Sequence, residues 1–450
     1  MSDATITGSA LTALDRARQK AYWRLLPLLF ICYVIAYVDR SNVAIAKLTM
    51  TKDLPGFDNA VIGFGAGVFF IGYFLLEIPG TLMVERWSAR KWICRIMITW
   101  GIMAALTALV KTPFQFYVVR FLLGLAEAGF FPGVIVYLTH WFPSRDRARA
   151  LAYFFVATPM AQIISPKISN ALLKIGTNET INGVPVHHPE LLGLEGWQWV
   201  YIAWGIPAIV LGVIVFFMLT DRPCQAQWLS VEERDALERE LEREKDLRRT
   251  GQRLTLIEAL RHPKVLLLAA AYFCTVTGSY GVEFFLPSIL QQWYSLKFDA
   301  ITWLVTLPPV LGLAGQLFVG WNSDRTKERR LHTVAPIALG AAALACAPMT
   351  QGNLPLTIGC FMLAFAGFKS YLPAFWSLPT LFLTEAAAAG SIGLINSVGN
   401  LGGFLGPYVL GKVQTVTGSF VGGIYYLCAS MAVSAMIIFY LGLGRQEPRK

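Results

Sequence analysis

Little of this sequence is charged: only 15% of its 450 residues are Asp, Glu, Lys or Arg, where soluble globular chains carry about 25%. With 55% of residues apolar and a mean hydropathy of +0.53, cytosolic enzymes, secreted disulfide scaffolds and disordered chains are excluded together. Cysteine is sparse as well. The seven residues Cys32, Cys94, Cys224, Cys274, Cys346, Cys360 and Cys428 are scattered without a C-x-x-C pair, so neither a disulfide framework nor a zinc site is expected. The five histidines, His140, His187, His188, His262 and His332, make no H-E-x-x-H, and no metal or other cofactor is expected. A P-loop and a serine elbow are also missing, which argues against an integral-membrane enzyme. The net charge of +10 does not point to nucleic acid, because the basic residues sit in short gaps between apolar runs rather than on one water-exposed face.

What is present is apolar sequence in lengths of about 20 residues, enough for roughly twelve spanning helices. Hydropathy places them at 25–45, 61–84, 93–110, 116–138, 148–172 and 199–219, and again at 265–290, 300–320, 333–349, 354–384, 391–413 and 420–443. Before the first run, Arg16, Arg18, Lys20 and Arg24 precede no small-residue cleavage site, so that run reads as a retained helix. Asp221 to Lys264 carries ten basic and ten acidic side chains and divides the chain into 1–220, a linker at 221–264 and 265–450. In the linker Ser230 and Glu233 have capping-box spacing, and an amphipathic surface helix is expected there. Lys and Arg gather after the second span (Arg86, Arg90, Lys91), the fourth (Arg145, Arg147, Arg149) and the eighth (Arg325, Lys327, Arg329, Arg330). Both termini and the linker are therefore expected to be cytoplasmic. Gly80 to Lys91 is echoed by Gly315 to Arg330 at the matching place in the second half. Such weak internal symmetry suits a transporter of paired bundles with a site between them.

Ionisable groups inside spanning helices are costly unless paired or facing water, so each is a functional candidate. Tyr33, Tyr37 and Arg40 lie on one stripe of the first helix, with Asp39 about 100 degrees around from Arg40. The competing reading is that Asp39 and Arg40 only neutralise partners on a neighbouring helix. In the fourth helix Arg120 and Glu127 are seven residues apart on one face. Glu127 is a candidate proton carrier and Arg120 a planar fork for a carboxylate, against the alternative of a static salt bridge from Glu127 to Arg120 or Arg40. Glu283 and Lys369 are expected to pair as a gate, or Lys369 supplies a second cation for a dicarboxylate. At helical spacing Lys369, Pro373, Trp376 and Thr380 share a face, with Ser377 beside it. Asn396 and Asn400 offer amides that hold either substrate or a neighbouring helix. Tyr73 is placed toward the cavity, Glu77 toward the basic loop, and Lys167 is left to snorkel outward.

Ala36 to Ala46 (AYVDRSNVAIA), Gly63 to Trp92, Arg120 to Pro143 (RFLLGLAEAGFFPGVIVYLTHWFP), Gly196 to Gly212, Phe375 to Leu383 and Ile395 to Gly411 carry a resemblance. Together they look like the anion:cation symporters of the major facilitator superfamily, closest to the bacterial tartrate and phthalate permeases. The resemblance implies an all-α integral membrane fold, twelve transmembrane helices in two pseudo-symmetric six-helix bundles, working by alternating access. It implies uptake of an organic carboxylate driven by protons, with Asp39 and Glu127 in proton coupling, Arg120 on the substrate carboxylate and Arg40 as partner of Asp39. Tyr37, Tyr73, Trp376, Ser377, Asn396 and Asn400 would complete the site. Lys369, Glu283 and Lys167 depart from the family pattern, and a second positive site favours a dianion. The expected partners are a small organic anion, protons and membrane lipid, with no nucleic acid, in a monomer of a bacterial inner membrane. An exchanger or uniporter of the same fold, and a drug efflux protein of the same superfamily, are the rivals.

Overall fold

The computed structural model describes residues 12–176, 178–181, 184–249, 262–381 and 385–443. The expected cytoplasmic termini (1–11 and 444–450) and linker residues 250–261 fall outside the described residues, as do the side chains of Arg86, Arg145, Arg149 and Thr380.

Thr12 starts the first helix, α1 (Ala13–Asp53), by accepting the Asp15 amide on its hydroxyl. With 41 residues the helix is about 60 Å long, twice the hydrocarbon thickness it has to cross. Its first turns therefore project beyond the membrane with Arg16, Arg18 and Lys20. At the other end it runs on past residue 45, where the hydropathy signal stops, because Lys47 and Lys52 both lie against aromatic rings of the second half, Phe285 and Phe298.

Helices α2 (Asn59–Arg86) and α3 (Ala89–Leu106) are each opened by a side-chain cap, Asp58 and Ser88. The fourth pass is α4 (Pro113–Glu127) with α5 (Phe130–Thr139), the fifth α6 (Ser144–Phe155) with α7 (Ala157–Leu173), and the sixth α8 (Gly196–Met218). Helix α9 (Val231–Arg249) follows, with the capping box in place: Ser230 and Glu233 each accept the other's backbone amide. The second half repeats the scheme with α10 (Pro263–Tyr294), α11 (Phe298–Leu304) joined to α12 (Leu307–Thr326), and α13 (Arg330–Cys346). It ends with α14 (Leu354–Ser370) and α15 (Leu372–Phe375), α16 (Glu385–Asn400) joined to α17 (Gly402–Thr417), and α18 (Val421–Leu441).

The result is twelve passes in two groups of six. Ten helices among the described residues are each long and apolar enough to cross a membrane. The fifth and eleventh passes miss that mark because they spend positions on polar residues that protein buries: Gln162, Ser165 and Ser169 in one, Ser391, Asn396, Ser397 and Asn400 in the other. One element departs from an all-helical expectation. Strands β1 (Asn178–Ile181) and β2 (Val184–His187) form an antiparallel hairpin between the fifth and sixth passes, with Asn178 opposite His187. An Asn-Gly pair at 182–183 is the sequence signal for it.

Within the first half, α2 and α4 approach to backbone contact. A Cβ on Gly124 would sit 2.0 Å from the Phe69 carbonyl oxygen, and one on Gly72 would sit 2.4 Å from that of Phe121. Between the halves, α1 packs on α10, α2 on α17, and α7 on α11 and α12. On the linker side, Lys20 and Arg16 of α1 grip Glu233 of α9, while Arg18 pairs with Asp146.

Candidate functional site

The fourth pass is expected from sequence as one helix, yet it breaks directly after Glu127. Ala128 turns to ψ 135 and Gly129 to φ 84, a left-handed conformation that glycine adopts without steric cost. That break ends α4 with the Glu127 carboxylate facing α1. Arg40 meets it there, with Nε and Nη2 both 2.6 Å from Glu127 Oε1. The guanidinium lies over the Tyr73 ring at 4.8 Å and the Phe69 ring at 5.6 Å, so two aromatic faces of α2 share its charge. Among the described residues none donates a hydrogen bond to Glu127 Oε2.

Asp39 does not pair with Arg40. One residue is about 100 degrees of helix, so while Arg40 reaches toward α4, Asp39 points to α3, where the Trp100 indole N–H donates to it, and the Asn42 amide of α1 itself donates as well. Arg120 is also placed differently from the expectation. Two turns before Glu127, it is fully buried inside the first group of helices, over the Phe69 ring at 5.3 Å with Nε 3.4 Å from the Gly65 carbonyl. Among the described residues Arg120 Nη1 and Nη2 have no hydrogen-bond partner, and Arg120 does not border the cavity between the halves.

The second half contributes its own pair. Lys369 Nζ is 2.7 Å from Glu283 Oε1. Glu283 is also held from across the interface: the Tyr37 hydroxyl donates to Oε2 at 2.7 Å and the Gln162 amide at 2.8 Å. Lys369 Nζ stands 3.4 Å from the Tyr37 oxygen. One carboxylate thus ties α1 and α7 to α10 and α14.

These groups surround a cavity between the halves, lined by Tyr37, Arg40, Ser41, Gln162, Tyr280 and Glu283 among others. Its volume of about 50 Å³ holds a few waters. Pockets for small organic molecules are roughly 300 Å³ or more, so the halves must part before one enters. On one side of the cavity Glu77 of α2 accepts from the Asn396 amide and from the Ser397 hydroxyl of α16, the latter at 2.8 Å. At the end of the bundle away from α9, Lys167 lies over Trp303 at 3.7 Å, and Asn170 and Lys174 both donate to Asp299.

The other sequence candidates divide. Tyr73 is buried beneath Arg40 rather than open to the cavity. Helix α14 stops at Ser370 and α15 begins at Leu372, with Tyr371 between them still in helical geometry. Trp376 packs edge-on against Tyr272, and Ser377 donates to the Ala374 carbonyl. Four residues that matter here escape the sequence reading: Trp100, Gln162, Ser397 and Lys47. Gln162 had a signal, an amide within an apolar run. So did Lys47, but hydropathy windows assign a lysine at the edge of a span to the loop.

Two helical groups enclosing a small cavity edged by buried ion pairs define a membrane transporter. Comparison with known proteins gives the family. A model described as Major Facilitator Superfamily matches residues 29–407, and the chain belongs to that superfamily, whose members are transporters and not enzymes. It is 40% identical over 434 residues to a protein of Agrobacterium vitis provisionally named a tartrate transporter, covering 96% of this chain and 92% of that one. It is 37% identical to the quinolone resistance transporter of Acinetobacter baumannii, covering 95% of each. The xylose transporter XylE of E. coli, in a partially occluded inward-open conformation, matches with a TM-score of 0.71, 12% identity and coverage of 94% of this chain and 98% of that one. This last likeness is one of fold.

Proposed function

We propose that the protein imports an organic carboxylate, a hydroxy-dicarboxylate of the tartrate kind, a sugar acid or an aromatic carboxylate, together with protons, across a bacterial inner membrane with both termini cytoplasmic. The observation that carries this reading is the Arg40–Glu127 pair at the edge of the cavity, with one carboxylate oxygen unbonded among the described residues.

A proton arriving at Glu127 Oε2 neutralises the carboxylate and releases Arg40 to a substrate carboxylate. In the second half, Lys369 is held by Glu283, and protonation or displacement of that carboxylate frees a second cation for a dianion. With substrate and proton both aboard, charges in the cavity balance, and burying the site costs less than burying unmatched ions. Tyr37 and Gln162 follow Glu283, so their hydrogen bonds form as the halves close and break as they part. Asp39 is the second proton site in this scheme. Arg120, lacking access to the cavity, acts on substrate only through its field on Asp39 and Glu127.

The test is uptake of radiolabelled tartrate into proteoliposomes at zero membrane potential, with and without an inward proton gradient. Accumulation that follows the gradient supports symport. Counterflow without accumulation makes the protein an exchanger or uniporter. The quinolone-resistance relative favours one further reading, efflux, and proton-driven extrusion of a quinolone with no carboxylate uptake would select it.

A further inference from the structure

Lys47 has no role in the scheme above, and its surroundings are unusual. It is 2% exposed, its ammonium has no hydrogen-bond partner, and it makes no salt bridge among the described residues. The Nζ atom rests 3.4 Å from the centroid of Phe285, which belongs to α10 of the opposite half. A cation in this position is poorly compensated, since an aromatic face replaces only part of its hydration.

Its place in the fold suggests what it does. Lys47 follows Arg40 by seven residues, so the two cations share a face of α1 about 10.5 Å apart along the helix axis. Ala44, between them, lines the cavity. The seal over Lys47 is built from both halves at the end away from α9. Asn59 of α2 donates to Gln414 of α17 at 2.7 Å, and a Cβ on Gly411 would sit 2.2 Å from the Asn59 carbonyl and 3.1 Å from Phe285. When α1 and α2 separate from α10 and α17, the Lys47–Phe285 contact breaks and the ammonium meets water at the mouth of the pathway.

We infer that Lys47 is an entry subsite for carboxylates: in the outward-open protein it holds the incoming anion two turns above Arg40 and hands it down the same face of α1. The inference rests on the proposed import of an organic anion and adds the route by which the anion arrives. A lone cation in a narrow mouth with low-dielectric walls raises the local concentration of anions by roughly tenfold or more. On closure the Phe285 ring takes the anion's place against the ammonium.

Two measurements test this, and one of them needs no substrate. In a variant with the native cysteines replaced and Ala44→Cys introduced, the rates of modification from outside by an anionic and by a cationic methanethiosulfonate reagent are compared. With Lys47 present the anionic reagent is favoured. Lys47→Gln lowers the anionic-to-cationic rate ratio about tenfold, and Lys47→Arg keeps it. An unchanged ratio in Lys47→Gln overturns the inference. In transport of radiolabelled tartrate, Lys47→Gln raises KM about tenfold with kcat within twofold of the parent. A fall in kcat at unchanged KM makes Lys47 a structural strut and also overturns it. Replacing an unpaired buried cation by an amide leaves no stranded partner, so the variant folds. If the unaltered protein transports no carboxylate, the import reading fails by itself, while the reagent ratio still decides whether Lys47 charges the mouth.

Discussion

Replacing Glu127 with Gln keeps the shape of the side chain, removes its charge and leaves nothing to take up a proton. Arg40 then loses its anionic partner at 2.6 Å and keeps only the Tyr73 and Phe69 faces at 4.8 and 5.6 Å. Breaking one side of a buried pair costs about 3–5 kcal/mol, and that penalty falls when an added carboxylate settles beside Arg40. E127Q is therefore expected to melt at a lower temperature than the parent and to be stabilised more strongly by added carboxylate. Transport changes in a separate way. One coupled proton moving down a gradient of one pH unit supplies about 1.4 kcal/mol, or tenfold accumulation. At zero membrane potential the parent reaches roughly that ratio for each coupled proton. E127Q loses the factor that belongs to Glu127 and still exchanges labelled for unlabelled substrate. The assay is the steady-state internal concentration of label in proteoliposomes, with counterflow as the control. Accumulation by E127Q equal to the parent's refutes the coupling role, whatever the melting temperature does.

Lys369→Met leaves Glu283 buried with Tyr37 and Gln162 as its donors among the described residues, at a cost of about 3 kcal/mol; the charge swap Lys369→Glu with Glu283→Lys recovers much of the loss in a thermal melt of the purified protein. Gly124→Ala puts a methyl group 2.0 Å from the Phe69 carbonyl, so α2 and α4 must separate and the protein loses about 1–3 kcal/mol, read as a lower melting temperature. A melt as stable as the parent's would mean that the approach of these two helices is not tight. On the linker side, the Lys20 ammonium holds the Glu233 carboxyl below the usual glutamate range, outweighing the opposite effect of burial, with the Ser230 amide and Arg16 adding to it. A depressed carboxyl stabilises the fold above its unfolded value of about 4.3 and stops doing so as pH falls through the lower folded value. The stability gap between the parent and Glu233→Gln is thus expected to be constant from about pH 6 to 8 and to close below about pH 4. A gap that widens on acidification would contradict the pairing.

Much of this molecule follows from local chemistry that any stretch of its chain carries. Apolar runs of about bilayer length set the number of passes. Ser230 and Glu233 form their capping box within one turn. The partners of other groups depend on which helix falls beside them. Asp39 and Arg40 are adjacent in the chain, yet the helical turn of about 100 degrees between them sends one to Trp100 and the other to Glu127. Arg120 lies on the same face of its helix as Glu127, but the packing of α2 through Gly72 and Gly124 closes that face inside one half. The breaks after Glu127 and Ser370 are local as well: Gly129 takes a left-handed turn, and Pro373 has no N–H to bond the Lys369 carbonyl. Burial and helical period are properties of a segment, so sequence alone determined where charges sit along each pass. Which charges face each other is a property of helices distant in the chain, and only the assembled bundles decided it.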